Sequence, residues 1–260
     1  MNSLIPRLQG LQRHLMVKFL SELLPLYIVN EYPKSGGTWV GQLLAHSTGL
    51  PFPRNQFRKI EKSIIHGHFA YQKNFENVLC VWRDGRDLTV SWYYHCLFPN
   101  QFGNYNHVRT VRKALNFRDY HDIKNNIDSF LQYSFESQKY PRFNWSEFVN
   151  MWIDKPVVHT KYEDMRTFPV PEIYRVLQEL FHLTIDQNKI ENAISEYDFF
   201  RQKKITENQV KDKELNFIRN GAMGDWAEVF QNSTRQLFDH YAGKELIKLG
   251  YEKNHDWAIQ

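Results

Sequence analysis

Leu8, Leu11, Leu15, Phe19 and Leu23 recur at helical spacing. They predict an amphipathic N-terminal helix within residues 1–24, with Arg13 and Lys18 off the apolar face. Two readings of that face stand side by side, a packed outer helix and a helix lying on a membrane surface. Leu26-Tyr-Ile-Val29 is a short unbroken apolar run, the pattern of a buried strand. A glycine-containing loop follows, then a predicted helix from Thr38 to Ser47, stopped near Gly49 and Pro51. Strand, loop and helix in this order open a βαβ unit.

Farther along, Ser63 to His66 reads as a short strand and Val78-Leu-Cys-Val-Trp82 as a second buried one. Asp87 to Cys96 reads as the helix after it. Pro156 to His159 is a later strand, Pro171 to His182 and Gln187 to Tyr197 are helices, and Ser233 caps a final helix running to about Leu249, with Gly250 behind it. Short buried strands separated by helices predict an α/β fold, a central parallel sheet flanked by helices. No repeat, low-complexity segment or Pro/Gly/Ser-rich linker interrupts the chain, so one domain over 1–260 is expected. Asn100 to Asn125 and Arg201 to Asn216 read as mobile loops. The second is either a solvated surface loop or a lid over a ligand.

Composition narrows the function classes. The 260 residues carry 33 basic and 29 acidic side chains, a net +4, with 42% hydrophobic and 15% aromatic residues. That content supports a large core and excludes disorder or a coiled coil as the main architecture. The basic residues are dispersed, which suits a pocket for a small anion better than a nucleic-acid surface. Cys80 and Cys96 are the only cysteines, so neither a disulfide framework nor a four-thiolate zinc site is possible. The apolar stretch from Leu15 to Val29 is broken by Lys18, Ser21, Glu22 and Pro25, so it reads neither as a signal-peptide core nor as a bilayer span. A cytoplasmic location is the expectation.

Two constellations carry candidate chemistry. Tyr32-Pro-Lys-Ser-Gly-Gly-Thr-Trp39 lies between a strand and a helix. Gly36 and Gly37 permit a sharp turn with inward N–H groups, and the following helix N-terminus, Lys34 and the Ser35 and Thr38 hydroxyls complete an anion cradle. Lys34 precedes the glycines and no Gly-Lys-Ser/Thr follows, so this is not a Walker A loop. An ordinary strand-to-helix turn is the plainer reading. The second is Arg83-Asp-Gly-Arg-Asp-Leu-Thr-Val-Ser91. Arg83 stands at the C-terminal end of a strand, where open α/β sheets bind ligands. Asp84, Arg86 and Asp87 also fit simple capping and surface pairing.

Together these segments resemble the two nucleotide-binding signatures of the cytosolic-type sulfotransferases that use 3′-phosphoadenosine-5′-phosphosulfate (PAPS). Lys34, Ser35, Gly36, Thr38 and Trp39 match the family's 5′-phosphosulfate loop, a P-loop-like element, and Arg83 and Ser91 match its 3′-phosphate pair. Tyr162-Glu-Asp-Met165 matches a third segment. Phe217-Ile-Arg-Asn-Gly221 with Gly224-Asp-Trp226 matches the C-terminal segment that folds over the nucleotide. The resemblance implies that Lys34 contacts the bridging oxygen and 5′-phosphate, and that Ser35, Gly36, Gly37 and Thr38 hold that phosphate. It places Trp39 and Tyr162 near the adenine, and Arg83, Ser91, Arg219, Asn220 and Gly221 at the 3′-phosphate. PAPS is then the co-substrate, adenosine 3′,5′-bisphosphate (PAP) the product, and no metal is needed.

The family also places a His before its second nucleotide strand, with a Lys two positions earlier. In Ile65-His66-Gly67-His68-Phe69 the base position falls to His68, and His66 stands where the Lys usually stands. A general base wants a pKa near operating pH, which an ordinary histidine has. Metal ligation or packing are the alternatives for His-x-His, and metal is the weakest, since no Cys or acidic partner lies nearby in sequence. Three other departures are Asn220 for a usual Lys, Gly37 for a common Thr and Ala70 for a common Pro. The implied reaction is in-line transfer of a sulfonyl group to an acceptor hydroxyl on a small molecule, glycan or lipid. No nucleic-acid partner is expected, no transmembrane segment is present, and peripheral membrane contact stays open. A nucleotide kinase and a non-catalytic PAP-binding protein are the competing readings. Phe69, Tyr71, Trp92, Tyr93 and Tyr94 are candidates for an apolar acceptor pocket or for core.

Overall fold

The computed structural model describes residues 4–21, 23–53, 61–100, 103–198 and 223–259. The fold is α/β, with four parallel strands in the order β2-β1-β3-β4. They are β1 (Leu26–Glu31), β2 (Ser63–Gly67), β3 (Val78–Trp82) and β4 (Val158–Lys161). β1 and β3 sit in the centre, and both are almost wholly buried. That accounts for their continuous apolar runs: a parallel strand covered on both faces has no polar side to show. β1 continues to β2 on one side, while β3 lies on its other side, so the C-terminal ends of β1 and β3 flank a topological switch point.

The chain divides into two compact units, Met1–Arg83 with Asp154–Asp198, and Asp84–Ile153 with Phe199–Gln260. The first holds the sheet together with α1 (Leu4–Leu20), α2 (Gly37–Thr48), α7 (Tyr162–Thr167), α8 (Pro169–Phe181) and α9 (Gln187–Glu196). Its core joins Val29, Leu79 and Val81 of the sheet to Val40, Leu43 and Leu44 of α2 and to Ile173, Val176, Leu177 and Leu180 of α8. The spacing of the α8 residues puts all four on one face.

The second unit holds α3 (Gly85–Leu97), α4 (Tyr105–Leu115), α5 (Ile123–Glu136), α6 (Trp145–Trp152), α10 (Trp226–Val229) and α11 (Asn232–Lys248). Trp92, Tyr93, Phe130, Phe148, Trp152 and Phe238 build its core. Gly85 opens α3 because a Cβ there meets Phe238 and Trp145 at 2.8 Å. Trp92 and Tyr93, two candidates for an acceptor pocket, belong to this core. Phe69 is buried as well, whereas Tyr71 and Tyr94 are half-buried.

Three expectations are corrected. The N-terminal helix forms, but its inward residues are Met16 and Val17, and Leu8, Leu11, Leu15, Phe19 and Leu23 are the exposed ones, 43–78% accessible. The helix's C-terminal end is pinned by Asn74, whose Nδ2 donates to Lys18 O at 2.9 Å, and by Ser21, which donates to Asn74 O at 2.8 Å. Second, most of the expected loop at 100–125 is helical. Tyr105–Leu115 buries Val108 and Val111, and Arg112 reaches back to Leu97 O at 2.7 Å. Third, the later strand covers Val158–Lys161 rather than 156–159, with Pro156 ahead of it. The expected loop at 201–216 lies outside the described residues.

Candidate active site

Everything that follows in the first unit sits at the C-terminal ends of β1, β2 and β3. β1 runs two residues past its apolar stretch and ends on Asn30 and Glu31, both buried. Buried polar groups need partners, and these two find theirs in the site. Asn30 grips the backbone of Phe69: its Nδ2 donates to Phe69 O at 3.2 Å and its Oδ1 accepts from Phe69 N at 2.8 Å. This clamp fixes the chain directly after His68.

Glu31 is the hub. Its Oε1 accepts from His66 Nε2 at 2.7 Å, its Oε2 accepts from Gly37 N at 2.5 Å, and its main-chain oxygen accepts from His68 Nδ1 at 2.9 Å. A carbonyl only accepts, so His68 carries its proton on Nδ1 and presents a lone pair on Nε2. Burial alone raises the Glu31 carboxyl, but the His66 bond and charge, His68 and the Gly37 amide outweigh it and hold the group below its ordinary range. Burial and the neighbouring His66 push His68 the other way for a base, down to about 4, against the opposing pull of Glu31. His68 is therefore neutral at neutral pH, with Nε2 able to accept a proton.

The cradle itself is tightly constrained. Lys34 has φ +79°, Gly36 has φ +93°, and Gly36 is the N-cap of α2. A Cβ on Gly36 would stand 2.6 Å from Tyr162 Cδ2, so only glycine satisfies both the backbone and the space. Gly37 is equally constrained, since a Cβ there would stand 2.8 Å from the Glu31 carboxyl carbon. Ser35 is buried, and its N–H and O–H both donate to Tyr32 O, at 3.1 and 2.9 Å. Its hydroxyl thus stiffens the turn, a different use from the donor expected of it. The first turn of α2 contains no acidic residue, which keeps its N-terminus attractive to anions. The Gly37 amide is itself taken by the Glu31 carboxylate, so in this structure that N–H donates within the chain, a different use from the phosphate donor expected of it.

Arg83, buried at the end of β3, donates from Nη1 to Lys34 O at 2.9 Å. Its guanidinium also lies 4.8 Å from the Tyr162 ring centre. Tyr162 meets Trp39 edge-on at 5.8 Å, and Trp39 Nε1 donates to Tyr197 O at 2.9 Å. Lys34, Gly36, Trp39, Arg83 and Tyr162 are thereby brought into one neighbourhood, while Glu31 ties Gly37 to both histidines.

In the second unit, Ser91 sits on α3, half-buried. Asp84 caps α3 by accepting from Arg86 N, and Arg86 pairs with Asp84 at 2.8 Å and Glu252 at 2.5 Å. The Arg86 guanidinium lies over Trp226 at 3.9 Å and Trp257 at 4.7 Å. Asp87 accepts from Gly224 N at 2.7 Å and Trp226 N at 3.0 Å. The expected surface pairing is therefore a buried latch that holds the start of the Gly224-Asp-Trp226 segment. Arg219, Asn220 and Gly221 lie outside the described residues.

The sulfotransferase domain family matches residues 62–250, more than half of the chain. The chain belongs to this family. Among curated relatives it is 23% identical to sulfotransferase 1A1 of Bos taurus over 265 residues, covering 84% of this chain and 82% of the relative. It is 21% identical to sulfotransferase 1E1 of Mus musculus over 266 residues, with 84% and 82% covered. Its fold resembles mouse sulfotransferase SULT7A1 complexed with PAP, with a TM-score of 0.64, 17% identity and 92% and 90% of the two chains covered. It also resembles retinol dehydratase complexed with androsterone and PAP, with a TM-score of 0.62, 17% identity and 86% and 81% covered.

Asn30 and Glu31 are the residues that sequence reasoning missed. The signal was present in the adjacent polar pair Asn30-Glu31, which closes an otherwise apolar strand and leads straight into the cradle. With Glu31 in place, the statement that no acidic partner accompanies His66 and His68 is corrected. The three groups lie within 4.8 Å of one another.

Proposed function

We propose that this sulfotransferase moves the sulfonyl group of PAPS to the hydroxyl of a small-molecule acceptor, with His68 as general base. The observation that carries the reading is the hydrogen-bonded chain from Arg83 to Lys34 and, across the cradle, from Gly37 through Glu31 to His68. It assembles an anion cradle, a fixed cation and a neutral histidine at the switch point of one sheet. PAPS supplies the sulfonyl group and a phosphate leaving group. Lys34 faces the bridging oxygen and 5′-phosphate, with Ser35, Gly36, Gly37 and Thr38 around it, and offsets the charge that develops on the leaving oxygen. Trp39 and Tyr162 flank the adenine. Arg83, Ser91, Arg219, Asn220 and Gly221 take the 3′-phosphate.

His68 Nε2 accepts the acceptor's proton as its oxygen attacks in line, and a base so placed contributes ~10²–10⁴-fold. Its low pKa keeps it unprotonated, and the negative charge of a bound donor raises its basicity toward the working range. Glycan and lipid acceptors are compatible with the same chemistry. A kinase reading fits poorly, because the Asp84 carboxylate, its candidate magnesium ligand, is taken up by Arg86.

Thermal melting in the presence of PAP, AMP or magnesium ATP tests this. PAP is expected to raise Tm most, because a ligand at 100 times its Kd adds ~2.7 kcal/mol. Equal shifts from PAP and AMP would remove the 3′-phosphate site, and a larger shift from magnesium ATP would favour a kinase.

A separate observation bears on location. Among the described residues no helix is long and apolar enough to cross a membrane. However, α1 exposes Leu8, Leu11, Leu15 and Phe19, and among its described side chains the charged ones, Arg13 and Lys18, are both basic. An apolar stripe with basic flanks supports peripheral contact with an anionic lipid surface. Cosedimentation with phosphatidylserine vesicles, weakened in Leu11→Glu and absent with phosphatidylcholine alone, is the expected result. Sedimentation equal in both variants would rule it out.

A further inference from the structure

We propose that Glu31, His66 and His68 form a binding site for a divalent cation of the zinc class, and that occupation of this site reversibly blocks the base. The inhibitory half rests on the reading of His68 as base, whereas the binding half stands on geometry alone.

The three side chains each offer one ligand atom, and these atoms lie within 4.8 Å of one another. Two imidazoles and one carboxylate, with a fourth position left open, are a known ligand set for zinc. Tetrahedral zinc with bonds of ~2.0–2.1 Å places its ligands ~3.3 Å apart, so atoms spread over 4.8 Å close by about 1.5 Å at most, shared between two side chains. Moreover, outer partners of the kind metal ligands require are already present for Glu31 and His68. Gly37 N holds Glu31 Oε2 and leaves Oε1 turned to His66. Glu31 O holds His68 Nδ1, which fixes the ring's tautomer with its proton on Nδ1. Asn30 fixes the backbone immediately after His68.

Two departures from the family pattern meet at this point. His66 replaces a usual Lys, exchanging a cation for a ligand. Gly37 replaces a common Thr, whose Cβ would collide with the Glu31 carboxyl carbon at 2.8 Å. Both substitutions make room for, or add to, the same carboxylate-imidazole cluster. For the cation to take His66 Nε2, the proton between His66 Nε2 and Glu31 Oε1 leaves that position and the ring binds as its Nδ1–H tautomer. The cation also takes the lone pair of His68, which can then no longer receive the acceptor's proton.

The test begins with chelator-stripped full-length protein titrated with Zn²⁺ against a chromophoric chelator. One tight site per chain is expected. Removing an outer partner typically costs ~10–100-fold in metal affinity, so loss of a ligand in Glu31→Gln or His66→Ala should cost at least ~100-fold. His107→Ala, which alters a separate cluster where His107 Nε2 lies 3.3 Å from Cys96 Sγ, should leave affinity unchanged. X-ray absorption at the zinc edge of the unmutated protein gives a second reading that does not depend on variants folding. Two imidazoles with a light-atom ligand and no sulfur are expected. A sulfur ligand, or zinc lost only in His107→Ala, overturns the proposal, as does absence of a tight site. Zn²⁺ should abolish turnover and a chelator restore it. Zinc bound by these residues with turnover unaffected would instead overturn the assignment of His68 as base while leaving the binding site intact.

Discussion

Arg83 donates a hydrogen bond from Nη1 to the main-chain oxygen of Lys34 at 2.9 Å. The residue expected at the donor's 3′-phosphate thus also braces the loop expected at its 5′-end. Lys34 needs such a brace, because its φ of +79° is unfavourable for a residue with a side chain. Arg83→Ala should weaken PAP binding ~10–100-fold, the equivalent of one charge-assisted hydrogen bond of ~1.5–3 kcal/mol, while the folded state persists. Calorimetry with PAP reads this directly. Unchanged affinity would make Arg83 a structural residue.

Glu31 and Gly37 should behave as a coupled pair. Gly37→Thr restores the family's common residue but drives its Cβ into the Glu31 carboxyl carbon, 2.8 Å away. In the native background it should destabilise the protein by ~1–3 kcal/mol, as overpacking does. In a Glu31→Ala background the same change should cost far less, and a double-mutant cycle on urea unfolding measures the difference. Additive effects would show that the two positions do not constrain each other.

Asp87 latches the start of the Gly224-Asp-Trp226 segment through two backbone amides. Asp87→Ala should lower unfolding stability by ~1–3 kcal/mol, since two partly exposed backbone donors lose a charged acceptor. Asp87→Asn, which retains one acceptor oxygen, should fall between. A loss below ~0.5 kcal/mol, typical of surface substitutions, would contradict the latch.

Acid stability should depend on Glu172. Burial works to raise this carboxyl, but Arg175 and Thr160 donate to it at 2.6 Å and hold its pKa below the ordinary value. A carboxylate depressed in the folded state contributes stability above its unfolded pKa and loses it as pH falls through the folded value. Stability of the native protein should therefore decline on acidification from about pH 5 downward, and Glu172→Gln should flatten that decline. Denaturant melts from pH 6 to 3 compare the two slopes, and parallel slopes would exclude Glu172 as a contributor.

The sheet was the most readable part of the chain. Val78–Trp82 is an apolar run bounded by polar residues, and it is a strand over those same residues. Gly250, with φ +69°, follows the last helix as its position suggested. The helix at Tyr105–Leu115 was hidden because Val108 and Val111 are its only buried residues, set among polar side chains typical of loops. Which face of α1 packs inward was left open by the sequence, because a stripe of five large apolar residues outweighs Met16 and Val17 in any periodicity count, yet burial is decided by what the helix docks against. Periodicity also stops at Val29, so Asn30 and Glu31 fell between strand and motif. Their importance arises from register: β1 pairs with β2 such that Asn30 lies opposite Gly67, which brings both histidines to the end of β1. The cradle and Arg83 were legible from local spacing and family resemblance, whereas the Glu31 hub required three dimensions.

The central claim is that His68 acts as the base of a PAPS-dependent sulfonyl transfer. Its most direct test is transfer of label from radiolabelled PAPS to a panel of phenols and steroid alcohols by the native protein and by His68→Ala, with PAP affinity measured for both. The account predicts that the native protein labels at least one acceptor, that His68→Ala is slower by ~10²-fold or more, and that PAP affinity is nearly equal in the two. Undiminished transfer by His68→Ala, or PAP binding without transfer to any acceptor by the native protein, would contradict it.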